Sequence, residues 1–412
     1  MELLYVLLIL LAVSRLFAEI AERLKQAPLV GELVAGATLG VLVHQFADAL
    51  PVLSGLADDE VFGAITELGI FFLMLMAGIE LRPSEMAQSS ARAAIIAVAG
   101  MAVPLLAGFG LGWWLLPESA HRVAQCLFLG VALAITAVPV AIRVLMDLRM
   151  LDSQVGRTVV SAAVIDDVLS LVLLAVLTAM LETGSLPDVA SLGVLVGKLV
   201  LFFAVALAIG IWVFPRVTAL LRKARVEEFE FSVLIIAALC YALLAEALGM
   251  HFILGAFLAG LFFGRRTVLR EVYEDVRKQV NGITTGFLAP VFFASIGLHL
   301  SGSALVSVPG FVVALVLAAL LSKLLGCGLA ARATGMSATA SASVGIAMSA
   351  RGAVELIIAD IALRAGLFDQ PGAPSLIVEN LFSAVVIMAI TTTILAPLLL
   401  RAVLARRAAS SR

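Results

Sequence analysis

Apolar residues run along this chain in long blocks, each closed by a short cluster of charged or turn-forming residues. Thirteen blocks are apolar enough to cross a bilayer: about 2–22, 28–46, 61–81, 92–116, 121–147, 156–182, 191–216, 229–248, 251–264, 281–300, 306–332, 338–366 and 376–404. Roughly 20 residues at about 1.5 Å rise span the hydrocarbon, where a helix satisfies its backbone within one segment. The pattern predicts an all-α polytopic membrane protein of about 13 transmembrane helices. The ninth block is short and predicts a partial span. One polar stretch, RRTVLREVYEDVRKQV at 265–280, alternates as an amphipathic helix and predicts a cytoplasmic connector.

An odd number of spans puts the termini on opposite sides, and the basic residues decide which. With the N-terminus outside, the inner segments hold 20 Lys and Arg, and the outer ones hold only Arg122 and Arg364. The expected orientation is N-out and C-in across the cell (inner) membrane. The first run, LLYVLLILLAVSRLFAEI, has no basic leader or small-residue cleavage site, so it predicts a retained helix.

Composition narrows the class further. Of 412 residues, 62% are hydrophobic and 14% charged, with a mean hydropathy of +1.14. A soluble domain cannot bury so much apolar surface. The net charge of −2 offers nothing to a nucleic acid. Cys126, Cys240 and Cys327 lie in apolar runs with no CxxC or histidine pattern, so no disulfide framework or metal cluster is expected. No nucleophile–base pair or cofactor loop marks an enzyme, and no cofactor is expected.

Charges inside the spans carry the chemistry. Asp166 and Asp167 stand side by side in VVSAAVIDDVLSLVLLAVLTAM. Carboxylates at that depth are costly and usually line an ion or proton path. Lys323, in VLAALLSKLLGCGLAA, needs a carboxylate partner at mid-depth, and the aspartate pair is the natural one. Arg351 and Glu355 share a helix face, as do Asp360 and Arg364, and both read as local ion pairs within the bundle. Glu67 and Glu246 read as structural anchors, Lys198 as a snorkelling lysine, and the four histidines fall near span ends.

Two spans are also interrupted. Pro139 in LGVALAITAVPVAIRVL removes a backbone donor and frees carbonyls near Thr136; Ser349–Gly352 interrupts SASVGIAMSARGAVELIIADIAL. Broken helices in separate halves point to a transporter's binding site at a repeat interface. The two breaks lie seven helices apart, which suits two six-helix repeats joined by one linking helix.

These residues carry a resemblance. PLVGELVAGATLG, ELGIFFLMLMAGIEL, VIDDVLSL, AEALGMHFILGAFLAGLFFG, APVFFASIGLHL and SKLLGCGLAA occur in the order of the monovalent cation:proton antiporter family. The chain resembles the branch holding NapA-type sodium/proton exchangers and Kef-type potassium systems. The resemblance implies a homodimer with the NhaA/NapA-like fold of inverted repeats and two broken crossing helices. It implies dimerisation helices in 1–90 and 226–303, core helices in 91–185 and 304–412 with a short tail, and a linking helix in 186–225.

It further implies Asp167 as the ion-binding carboxylate, Asp166 as the partner of Lys323, and Thr136 beside the crossing. Pro139 and Gly352 are then the broken-helix elements, with Arg351 and Glu355 as supporting charges. No nucleotide-binding module of Kef type is expected. The implied function is exchange of a monovalent cation, Na+ foremost, for protons by an elevator mechanism. An aspartate pair with a lysine goes with electrogenic exchange in this family. A K+/H+ or K+ efflux system is the neighbouring alternative; a sodium-coupled organic-anion symporter and a channel are alternatives of other classes.

Overall fold

In the computed structural model, the described residues are 2–24, 26–45, 59–80, 91–136, 145, 150, 153–183, 189–213, 216, 228–263, 270–300, 302–369 and 375–410. Among them there is no strand. The helices are α1 (Glu2–Arg23), α2 (Pro28–Gln45), α3 (Glu60–Glu80), α4 (Ala91–Leu115), α5 (Arg122–Ala134) and α6 (Gln154–Thr183). They continue with α7 (Val189–Ala208), α8 (Phe229–Ala247), α9 (Phe252–Phe262), α10 (Arg270–Ile283) and α11 (Ala289–Leu298). The last are α12 (Ala304–Ser307), α13 (Pro309–Ala333), α14 (Ala338–Ala347), α15 (Ala353–Arg364), α16 (Leu376–Glu379) and α17 (Leu381–Ser410). Among the described residues, eight helical segments are long and apolar enough to cross a membrane, and five more are apolar but shorter. The chain is a multi-pass membrane protein.

Helix ends follow from local chemistry. Pro309 opens α13, where its missing N–H has no helical partner to lose. At the other end Gly335 adopts φ 90°, and Met336 N–H returns to Ala331 O at 3.2 Å. A left-handed residue closes the helix this way most cheaply as glycine. Ser337 then caps α14 by accepting from Ala340 N–H. The reversal from α13 into α14 is thus written in three consecutive positions, Gly335 to Ser337.

The chain divides into two compact units. The first comprises Met1–Phe17, Glu32–Ser84 and Pro187–Leu298. Its core gathers Val6, Leu10, Leu39, Phe62, Val291 and Ala294 from α1, α2, α3 and α11. Gly36 and Gly297 let α2 and α11 meet backbone to backbone; a Cβ on either would collide with the other helix. Tyr273 on α10 donates to Ile79 O at the end of α3, at 3.0 Å.

The polar stretch departs from expectation here. Instead of a connector followed by a separate span at 281–300, α10 runs through a π-helical turn at Thr284–Leu288 straight into α11. Thr284 and Thr285 donate to Val280 O and Asn281 O across the junction, so the backbone path never opens into a loop. The ninth block is a short helix, α9, with eight of its eleven residues buried.

The second unit comprises Ala18–Gly31, Glu85–Leu186 and His299–Arg412. Small residues dominate its core: Ala93, Ala97, Ala162, Ala163, Ala331 and Ala347 are all buried. Small side chains let helices approach closely where lipid supplies no hydrophobic drive between them. Gly326 on α13 faces Ala99 O of α4, and Gly100 faces the Cys327 thiol. The opposite face of α13 shows Val313, Leu317, Leu321, Leu325 and Leu329, all exposed and four residues apart. That stripe is the lipid-compatible side; Lys323 lies on the buried one.

Two expected spans are interrupted. The block 338–366 splits into α14 and α15, as its Ser-Ala-Arg-Gly stretch predicts, and the block 376–404 is stepped at Asn380 between α16 and α17.

Candidate functional site

The second unit gathers most of the sequence-predicted residues. Asp166 and Asp167 stand in the middle of α6, and Lys323 in the middle of α13. Lys323 Nζ lies 3.3 Å from Asp166 Oδ1, with both side chains at 0% exposure. The lysine is therefore paired across two helices, not snorkelling. Asp166 Oδ2 has no hydrogen-bond partner among the described residues. Asp167 differs in being only half-buried, and both Asp166 and Lys323 lie within its electrostatic reach. Adjacent residues on a helix point about 100° apart, so one carboxylate faces Lys323 while its neighbour faces elsewhere.

The two helix breaks meet. α5 ends at Ala134, Ile135 turns extended at φ −74° and ψ 148°, and Thr136 follows. α14 ends at Ala347, and the chain is non-helical until Ala353. Thr136 Oγ1 donates to Met348 O at 3.1 Å. From the other side, Arg351 Nη2 donates to Leu133 O. Thr393 of α17 donates to Arg351 O at 2.8 Å. Carbonyls at the C-terminus of α5 carry the negative end of its dipole, which suits the guanidinium laid against it.

Thr136 is expected among the ion-binding residues, with the freed carbonyls near it. Its hydrogen is committed to Met348, while its oxygen keeps lone pairs for a cation. Pro139 lies outside the described residues. Gly352 caps α15 in an extended conformation, φ −170° and ψ −149°, so it marks the break without needing a left-handed backbone.

Arg351 and Glu355 are both fully buried, at 3.8 Å between Nε and Oε2. That is too long for a hydrogen bond, and neither Glu355 oxygen has a partner among the described residues. Glu355 occupies the first turn of α15, where the helix dipole favours a carboxylate. Lys323 also acts on it electrostatically, and Asp166 on Arg351. Three carboxylates and two cations thus form one buried cluster, with one negative charge in excess when all are ionised. One monovalent cation or one proton neutralises it, and burial makes that balance matter.

Asp360 and Arg364 do form the local pair their spacing implies, at 2.7 Å. Glu67, Glu246 and Lys198 are exposed and stand apart from the cluster's burial. Sequence reasoning passed over Arg15 and Glu32 in the first unit, 3.5 Å apart with Glu32 nearly fully buried. Their signal was available, since both fall inside apolar blocks. It also passed over Gln125, fully buried on α5, which donates to Leu367 O at 3.0 Å.

Comparison with known proteins gives the family and the fold. The family model described as sodium/hydrogen exchanger, transmembrane, matches residues 7–406. The chain is 32% identical over 400 residues to the Na(+)/H(+)-K(+) antiporter GerN of Bacillus cereus, covering 97% of this chain and 96% of that protein. It is 27% identical over 414 residues to a Na(+)/H(+) antiporter of Enterococcus hirae, covering 97% and 98%. Its fold is similar to that of the sodium proton antiporter MjNhaP1 from Methanocaldococcus jannaschii, with a TM-score of 0.74, 20% identity, and coverage of 98% and 97%.

Proposed function

The chain belongs to the sodium/hydrogen exchanger family, and from that premise we propose that it exchanges Na+ for protons at Asp167, beside the Asp166–Lys323 pair. The observation that carries this reading is the buried pair with a second, half-buried carboxylate next to it, in the unit where Thr136 at one helix break bonds Met348 at the other. Desolvation disfavours a lone ionised carboxylate, so Asp167 is occupied either by a proton or by a cation. The two substrates compete for one site. Alkali cations are hard and take oxygen ligands, which Asp167, the Thr136 oxygen and carbonyls freed at the breaks supply.

Lys323 makes the exchange electrogenic in this reading. A cation that draws the Asp166 charge toward itself leaves the ammonium without its counter-ion, and the ammonium then releases a proton. Two protons leave for each cation bound. The core helices in 91–185 and 304–412 carry the occupied site across the membrane against the helices of 1–90 and 226–303, in a homodimer with cytoplasmic C-termini. The relatives' names include K+ as well as Na+, so K+ is the second substrate to try.

Reconstituted proteoliposomes test both levels. Imposed Na+, Li+ or K+ gradients should move protons the opposite way, and the exchange should carry current. Cation gradients that leave internal pH unchanged would overturn the exchange reading. Proton movement without current would overturn only the electrogenic one.

A further inference from the structure

Many hydroxyls inside these helices share a habit. Thr38, Thr178, Thr284, Ser343, Thr391, Thr392 and Thr393 each donate to a carbonyl one turn back, at 2.7 to 3.0 Å. This is the usual resort of a hydroxyl without a better partner. Ser170 departs from it, as do Ser14 on α1 and Ser341 on α14, and of the three only Ser170 shares α6 with the aspartate pair. It stands on α6, four residues after Asp166 and three after Asp167, and is 2% exposed. Its Oγ has no hydrogen-bond partner among the described residues.

A second orphan oxygen lies on the same helix face. Residues four apart are neighbours there, and Asp166 Oδ2 is also buried without a partner. A buried polar atom left unpaired costs about 1–3 kcal/mol. Two such atoms one turn apart, beside a half-buried carboxylate, are a ligand set awaiting an occupant. The occupant cannot be an anion, because a carboxylate forms one side. It is not apolar, because both ligands are hard oxygens, which suit a hard cation.

We propose that Ser170 is a cation ligand that selects among alkali ions, holding the ion between its hydroxyl and Asp166 Oδ2 while Asp167 supplies the main charge. The inference rests on the exchange reading above and adds a named ligand to it. It also shows where the cation first meets Asp166: Oδ1 faces Lys323 and Oδ2 is open to the arriving ion, whose pull on the carboxylate then loosens the ammonium. A neutral ligand one helical turn from the carboxylate fixes the spacing of the oxygens, which separates Li+, Na+ and K+ where charge alone does not.

The test compares Ser170→Ala and Ser170→Thr with the unmodified protein in proteoliposomes, using NaCl, LiCl and KCl across pH. Ser170→Ala should raise the half-saturating Na+ concentration about tenfold, the loss of one good ligand. The rise in half-saturating Na+ should exceed any change in maximal rate, and its Na+/Li+ preference should shift. Ser170→Thr keeps the hydroxyl and should restore Na+ affinity, with the preference moved toward the smaller ion by its extra methyl. An alanine variant with unchanged half-saturation for all three ions would overturn the assignment. So would one that loses maximal rate alone, which marks a packing role. Failure of the unmodified protein to couple any of the three ions to protons would instead overturn the exchange reading itself.

Discussion

Lys323 Nζ meets Asp166 at one oxygen only, 3.3 Å away, and the carboxylate's other oxygen is left with no donor among the described residues. An ammonium bound this way is held by charge more than by geometry. It can be loosened by anything that takes up the free oxygen.

The pair has a stability signature. Removing the lysine alone, as Lys323→Met, strands a buried carboxylate and should cost about 3–5 kcal/mol. Replacing both, as Lys323→Met with Asp166→Asn, should recover a large part of that loss. Thermal unfolding of the detergent-solubilised protein measures both. A single variant as stable as the double would mean the pair contributes nothing to folding.

Competition fixes the direction of the pH dependence. As pH falls, protons fill the site and more cation is needed; as pH rises, affinity climbs until the site is empty of protons. Where one proton leaves per cation, the half-saturating Na+ should rise about tenfold per pH unit of acidification, and about a hundredfold where two leave. Rates measured against Na+ at several pH values give the slope. A half-saturation constant that ignores pH is incompatible with a shared site.

Arg351 ties one helix break to the other through Leu133 O, with Thr393 holding its own carbonyl. A lysine's compact ammonium does not place a donor where the guanidinium's Nη2 stands, against Leu133 O. Arg351→Lys should therefore lower thermal stability and slow exchange together. Thr393→Val should do the same more weakly, since it removes one neutral hydrogen bond worth about 1 kcal/mol. An Arg351→Lys variant with native stability would show that the guanidinium clamp is dispensable.

Much of this was readable in the chain because charge is expensive where apolar blocks are long. Asp166, Asp167 and Lys323 announce themselves by their surroundings, and Ser349–Gly352 interrupts a span audibly. Ser170, Gln125 and Thr393 give no such signal: each is uncharged, and a hydrogen bond, made or missing, leaves no mark in composition. The joining of α10 to α11 was hidden for another reason. The polar run 265–280 reads as a connector ahead of a separate span, yet threonine hydroxyls bonded back to the helix carry it through the turn at Thr284–Leu288. Arg15 and Glu32 were visible and simply overshadowed by the aspartate pair.

Close packing in the second unit makes a compensating pair. A methyl on Gly100 would collide with the Cys327 thiol, whereas the next nearest atom is 3.7 Å away. Gly100→Ala alone should destabilise by about 1–3 kcal/mol, as overpacking usually does. Adding Cys327→Ala removes the obstacle and should restore most of the melting temperature. Gly110 has nothing within 4 Å of such a methyl, so Gly110→Ala should be harmless. A Gly100→Ala loss that Cys327→Ala fails to relieve would place the obstruction in the backbone.

The unbroken path from Arg270 to Leu298 is 29 residues long. At about 1.5 Å per residue that is a rod of roughly 43 Å, against about 30 Å of hydrocarbon. About a third of it must therefore stand in water or among headgroups, and its charged end, from Arg270 to Asn281, is built for that. With no loop between them, the wet end and the buried end form one continuous helical path. A protein or lipid that gripped the outer turns would have its hand on a lever reaching into the middle of the membrane.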